Sequence, residues 1–270
     1  MGEQPGVDLQ LDRAHSARMY DYYLGGHTNF PADREAVGRV MAAFPQALAA
    51  ARANRAFMHR STRYLARRGL RQFLDIGTGI PTSPNLHEIA QEAARDARIL
   101  YVDNDPIVLA HAQALLRSEP DGRTAYLQAD LREPDTILSA PVLRETLDLT
   151  RPVALSLNAV LHFVTDEHGA HAIVDSLKGA LAPGSALVVS HGTTDFAPAA
   201  MKSATDVYRA AVTSAQTRTF DEVARFFEGW DVVAPGIVPS HRWLPDPGAG
   251  ALSMTDAESS CYVAVAFKIT

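Results

Sequence analysis

The feature that most constrains this chain is a rhythm in its middle. Asp75, Asp103, Asp130 and Asn158 each close a short apolar run, at intervals of 28, 27 and 28 residues. One strand–helix–strand unit takes about 30 residues. The runs at 72–76, 98–102, 124–128, 152–157 and 186–190 are apolar and bounded by turn or helix-start residues. Strands of a buried parallel sheet read this way, and their alternation with helical stretches implies βαβ units. Two further strands are expected at 231–238 and 261–269, with a Pro/Gly-rich loop at 239–258 between them. The expected architecture is α/β: a Rossmann-like, seven-stranded, mostly parallel sheet with helices on both faces. Polar groups then recur at one end of neighbouring strands, where open α/β sheets bind ligands.

Ahead of this rhythm the chain reads differently. Residues 1–14 are polar and loose, with Pro5 and Gly6. Residues 15–70 form an expected helical cap or lid, leaving 71–270 as the core. Pro31 with Asp33, Arg34 and Glu35 suits a first helical turn, and Val37, Val40, Met41 and Phe44 recur at helical spacing. After Pro45 a second helix is expected over 46–68, ending near Gly69. Residues 195–228 also read as helical, with Val207, Ala211, Val223, Phe226 and Phe227 as core candidates.

The sharpest local feature is Phe73-Leu74-Asp75-Ile76-Gly77-Thr78-Gly79-Ile80-Pro81-Thr82. A strand ends, a Gly-x-Gly turn follows, and a helix begins beyond it. Glycines let the backbone turn tightly and approach a ligand closely. The third glycine of a dinucleotide fingerprint would fall at residue 82, which is Thr82. Asp75 would repel a bound diphosphate, yet it would attract a cationic amino acid. S-adenosylmethionine carries an ammonium and a sulfonium, so Asp75 points to that cofactor and away from a nicotinamide dinucleotide. Asp103 is placed to accept both hydroxyls of a ribose. Asp105 suits a helix cap, with Pro106 at the first helical position. Asp130 is placed to accept from an adenine amino group, with Leu131 packing on the ring. Taken singly, a Gly-x-Gly turn is more often a plain turn, and an aspartate after a strand more often a cap. Their equal spacing along one sheet edge is what carries the reading.

Composition narrows the field. Net charge is −6 over 270 residues, with no basic excess for a broad nucleic-acid surface. The single cysteine, Cys261, offers neither an intrachain disulfide nor a zinc cluster. Met1 to Asp12 is polar and acidic, unlike a signal peptide, and no apolar run approaches the roughly 18 residues of a membrane span. A cytoplasmic, non-membrane protein is expected, with no metal. The histidines are scattered, and neither a Gly-x-Ser-x-Gly elbow nor a P-loop lysine occurs.

The runs Asp75-x-Gly77-x-Gly79, Val102-Asp103-Asn104-Asp105-Pro106 and Asp130-Leu131 resemble the first three motifs of class I methyltransferases. The whole chain is similar to a bacterial family of predicted S-adenosylmethionine-dependent methyltransferases, formerly a domain of unknown function. The likeness runs over about 15–270 and includes Arg18–Gly26, Arg52–Phe57, Phe73–Gly79 and Val160–Phe163. It departs from the general class pattern at Ile80-Pro81, where a third glycine is common.

The resemblance implies a cofactor set of Asp75, Gly77, Thr78, Gly79, Asp103, Asn104, Asp130, Leu131 and Asn158. It also implies substrate-facing residues after the fourth strand, where His162 is the candidate general base, with His191, just after the fifth strand, a second choice. Arg18, Tyr22, His27, Asn29 and Arg55 are candidates for a lid or substrate contacts around Gly25-Gly26, with Arg52 and Asn54 nearby. Tyrosines there could surround a sulfonium. His241, Arg242 and Trp243 are weaker candidates for an acceptor pocket. Residues 156–160 read Ser-Leu-Asn-Ala-Val rather than the Asn-Pro-Pro-Tyr of amino methylation. The expected partner is a small-molecule acceptor for O-, N- or C-methylation, with the chain a monomer or homodimer. The rival readings are a nicotinamide-dependent oxidoreductase and a cofactor-binding regulatory module without turnover.

Overall fold

All five spaced apolar runs are strands. In the computed structural model, which describes residues 11–115, 118–245 and 254–269, they are β1 (Gln72–Ile76), β2 (Arg98–Asp103), β3 (Arg123–Gln128), β4 (Ala154–Asn158) and β5 (Ala186–Gly192). Residues 1–10 and 246–253 of the expected loose segments lie outside the described residues. The five strands pair in parallel in the order β3-β2-β1-β4-β5. The order reverses between β1 and β4, which opens a crevice at their carboxyl ends. The last strand, β8 (Cys261–Lys268), pairs antiparallel with β5.

The alternation of side chains along each strand builds a core on both faces. Leu74, Ile76, Leu100, Val102, Leu155, Leu157, Leu187 and Val189 pack on one face. Helices α6 (Pro134–Ser139), α7 (Pro141–Thr146) and α8 (Ala170–Gly179) cover that face through Ile137, Leu143, Ile173, Val174 and Leu177. Phe73, Ile99, Tyr101, Ala154, Ala186 and Val188 pack on the other face. There α3 (Ala47–Arg67) and α4 (Leu86–Ala93) bury Phe57, Leu65, Leu86 and Ala90 against them. The helix α5 (Pro106–Leu115) follows β2, and Asp105 caps its start by accepting from the Ile107 amide at 2.9 Å.

The expected cap is therefore split in role. Helix α3 is a layer of the core, and the cap proper is α1 (Ser16–Tyr23) with α2 (Pro31–Ala43). Met19, Tyr23, Val37, Val40 and Phe44 form its own small core with Ala47 and Ala51 of α3 and Ala204 of α9 (Pro198–Ala211).

Two expectations need correcting. The stretch 195–228 is not one helix: α9 ends at Ala211, and α10 (Phe220–Ala224) starts only after Thr219 caps it. The interval holds Arg218, whose side chain is wholly buried. The strand expected over 231–238 is two, β6 (Trp230–Val232) and β7 (Val238–Pro239), both paired with β8. Pro235 lacks an amide hydrogen and Gly236 adopts φ +93°, so the ladder breaks between them. The sheet thus has eight strands in place of seven, with β6 and β7 sharing one edge. The short helix α11 (Asp256–Ser259) leads into β8.

Candidate functional site

The turn after β1 is set by two glycines in the left-handed region, Gly77 at φ +76° and Gly79 at φ +67°. Gly77 donates to Val102 O at 2.8 Å, and a Cβ there would sit 2.6 Å from Val160 Cβ. Around Gly79 a Cβ would meet nothing within 4 Å, so its Cα faces open space. A backbone of this form suits close approach by a ligand.

That open space is a cavity of about 380 Å³ across the carboxyl ends of β1 to β5. Every member of the expected cofactor set lines it: Asp75, Gly77, Thr78, Gly79, Asp103, Asn104, Asp130, Leu131 and Asn158. Asp75 is buried, which raises its carboxyl against hydrogen bonds from Thr78 and Ser156. Asp103 accepts from the Gly79 amide at 2.8 Å and the Asp105 amide at 3.0 Å, so its two oxygens are fixed in place. Burial raises Asp103 as well. Burial also acts on Asp130, but bonds from Arg132 and from Asn104 outweigh it and bring the carboxyl down to about 2. The Arg132 Nε bond to Asp130 is 3.0 Å and the Asn104 Nδ2 bond 3.3 Å. Asn158 donates to Ser156 Oγ at 2.6 Å, and its buried Oδ1 has no partner among the described residues. Ala159, next along, holds φ +52°, and Ser190 Oγ fixes it by accepting from its amide at 2.8 Å. Strained non-glycine residues of this kind gather at functional sites.

His162 follows on a single 3₁₀ turn, Leu161–Phe163, and lines the same cavity. Burial and the nearby Arg218 push its imidazole down to about 4, so it is neutral at physiological pH. His191 lies behind it, with ring centroids 5.7 Å apart, and is fully buried. Its Nδ1 donates to Gly192 O at 2.8 Å, and its Nε2 accepts from Arg218 at 2.7 Å. His191 is thereby spent on structure.

Arg218, which the sequence did not single out, organises this corner. It is wholly buried and donates to Leu161 O at 3.1 Å, Val164 O at 2.9 Å and Asp166 Oδ1 at 2.7 Å. The Gln216 amide donates to His162 O at 2.8 Å. The turn carrying His162 and Phe163 is therefore clamped from the irregular stretch between α9 and α10.

The lid candidates divide. Arg55 lines the cavity, with its guanidinium on the carbonyls of Thr82 and Pro84. Arg18, Tyr22, His27 and Asn29 do not line it. Arg18 is buried against Asp33 at 3.1 Å and holds α1 to α2. Tyr22 packs in the cap core, and His27 is exposed. Asn29 donates to Asp21 Oδ2 at 2.9 Å and Gly26 O at 3.0 Å, stitching the glycine pair to α1. The tyrosines of α1 that reach the cavity are Tyr20 and Tyr23, three residues apart and so on one helix face. Asn54 lines the cavity and Arg52 is exposed. Trp243 is core, edge-on to Phe57 at 5.3 Å, and His241 and Arg242 pair with Asp256. Among the described residues no group of three or more His, Cys, Asp or Glu side chains could hold a metal ion, and no helix is long and apolar enough to cross a membrane.

A parallel sheet of this order, with a Gly-x-Gly turn and acidic groups at successive strand ends, defines the class I methyltransferase fold. The chain belongs to the S-adenosyl methyltransferase family, whose profile matches residues 2–269. It is an S-adenosylmethionine-dependent methyltransferase by that membership. It is similar to a DUF574 family protein from Streptomyces avermitilis, 50% identical over 96% of this chain and 99% of that one, with a TM-score of 0.94. It is also similar to a candidate methyltransferase from Thermobifida fusca, 34% identical over 100% of both chains, with a TM-score of 0.90. The fold is shared with human N-acetylserotonin methyltransferase, crystallised with S-adenosylmethionine, at 15% identity and a TM-score of 0.50 over 88% of this chain and 57% of that one. No curated protein matches the chain at a significant level.

The residues present fit the cofactor. An opening over Gly79, an orphaned Asn158 oxygen and the buried carboxylates Asp75 and Asp103, whose oxygens have further lone pairs, are what an adenosylated amino acid would satisfy.

Proposed function

We propose that this protein methylates a small-molecule acceptor held between the helical cap and the turn after β4. One observation carries the reading: a single cavity is lined both by the expected cofactor residues and by Tyr20 and Tyr23 of the cap, with Asn54 of α3 beside them. S-adenosylmethionine, when bound, supplies a methyl group on a sulfonium and leaves as a neutral thioether. Asp103 would accept the ribose hydroxyls, with its orientation preset by the Gly79 and Asp105 amides. Asp75 would face the ammonium, whose charge counters the burial that raises the carboxyl. Asp130 would accept from the adenine amino group, and Leu131 would pack on the ring.

With the cofactor bound, the acceptor's lone pair would take its methyl group, the thioether being the leaving group. The proton lost by the acceptor has a neutral imidazole, His162, to receive it. So weak a base does not ionise the acceptor beforehand. It takes the proton as the bond forms and passes it to solvent. Positioning supplies the greater share of the rate.

The test is transfer of a radiolabelled methyl group from S-adenosylmethionine to a panel of small molecules. Label should enter an acceptor with the unmodified protein and not with Asp103→Asn. Label appearing equally with both would overturn the assignment of the site.

A further inference from the structure

The charges of the cavity are distributed unevenly. Asp75, Asp103, Asp130 and Arg132 belong to the strand-end side, and Arg55 of α3 stands at the boundary, its guanidinium held by the carbonyls of Thr82 and Pro84. The cap side is built from Tyr20 and Tyr23 of α1, Phe44, Asn54 of α3, the 162–163 turn, and Met201 and Tyr208 of α9. Apart from Arg55 at the boundary, no Asp, Glu, Lys or Arg is among the described residues lining that side.

His15 at the start of α1 meets Asp105 at 3.0 Å, and the ionisable groups of the aromatic wall itself are held neutral. Burial raises Tyr20, Tyr208 and Cys261 to about 12 and Tyr23 further, while burial lowers His162 to about 4. The wall is aromatic and its parts touch. Phe163 lies 5.5 Å from Tyr208, whose hydroxyl meets that of Tyr23 at 3.3 Å. Asn54, 5% exposed, donates from Nδ2 to Tyr20 at 2.9 Å, and its Oδ1 has no partner among the described residues. A recess of about 100 Å³ continues past His162 and Phe163 toward Ala215–Thr217, giving room for a substituent.

We propose that the acceptor is an uncharged, flat, largely apolar molecule with a hydroxyl or N–H donor, stacked among Phe163, Tyr208 and Tyr23. This rests on the methyltransferase reading and narrows it. Burying a charged group here would leave it without a counter-ion, which is strongly unfavourable. Aromatic rings give a flat acceptor large contact area and an offset-stacking or edge-on geometry. The orphaned Asn54 oxygen needs a donor, and the acceptor's hydroxyl or N–H supplies one. Carboxylic acids, polyamines and phosphorylated compounds are excluded by the same argument.

The experiment uses two probes of one shape, 2-naphthol and 2-naphthoate, titrated into the full chain saturated with S-adenosylhomocysteine. The naphthol should bind at least about tenfold more tightly, a difference of about 1.4 kcal/mol. Phe163→Leu and Tyr208→Leu should each weaken the naphthol several-fold and leave S-adenosylhomocysteine affinity unchanged. Equal or tighter binding of the naphthoate overturns the proposal. So does failure of both probes to bind while the thioether binds normally. If S-adenosylhomocysteine itself does not bind, the underlying cofactor reading has failed instead.

Discussion

Removing Arg218 should cost the fold more than any other single change near the acceptor side. Arg218→Met keeps much of the volume and the contact with Phe226, over whose ring the guanidinium lies at 5.1 Å. It strips the Arg218 donors from Val164 O and His191 Nε2, takes one donor from Leu161 O, which keeps the Val164 amide at 3.1 Å, and leaves Asp166 without its arginine partner. Breaking a buried pair from one side costs about 3–5 kcal/mol. Each buried acceptor left bare adds about 1–3 kcal/mol. Asp166 is 48% exposed, so water recovers its carboxylate and the pair contributes less than a fully buried one. The net expectation is a loss of about 3–5 kcal/mol, which lowers the melting temperature by on the order of 10 °C. Denaturant unfolding of both proteins measures it. Binding of S-adenosylhomocysteine by the folded variant should persist, because its residues sit on β1 to β4, while turnover falls as the His162 turn loosens. A loss below about 1 kcal/mol, well under the buried-pair cost, would refute the reasoning.

Gly77→Ala should destabilise by roughly 1–3 kcal/mol, since it combines a positive φ with a clash against Val160; urea unfolding reads this, and a neutral result contradicts the turn geometry. His162 and His191 both have depressed pKa values, the first about 4. The unfolded chain therefore takes up protons that the folded chain does not, and stability falls as pH drops from about 6.5 toward 4. Each contributes up to about 1.4 kcal/mol per pH unit in that window. His162→Gln should reduce the slope by up to about 1.4 kcal/mol per pH unit, and an unchanged slope would show that the imidazole is not buried as described. Asp33→Asn should cost about 3 kcal/mol by breaking the buried pair with Arg18. It should also open α1 to proteolysis before the core, and simultaneous digestion of both would contradict a separately packed cap.

The strand rhythm and the strand-end carboxylates were legible because parallel strands buried on both faces read as apolar runs, and each crossover fixes the interval. The glycine loop was legible because left-handed backbone leaves few alternatives to glycine. The cap was read less well. Its residue types are the same whether they face the cavity or the cap core, so Tyr22 was preferred to Tyr20 and Tyr23. Helical phase alone would have grouped Tyr20 with Tyr23. Arg18 and Asn29 looked like ligand-facing polar residues, yet their partners Asp33 and Asp21 satisfy them. Arg218 was invisible for a different reason. Its four acceptors come from chain segments 27 to 57 residues away, and no local pattern announces such a contact.

The claim that cofactor binding runs through the end of β2 is tested most directly by calorimetric titration with S-adenosylhomocysteine, comparing the unmodified protein with Asp103→Asn. Hydrogen bonds to a charged group are worth about 1.5–3 kcal/mol, so the substitution should weaken binding by roughly 10- to 150-fold. Unchanged affinity, or no binding by the unmodified protein, would contradict the account.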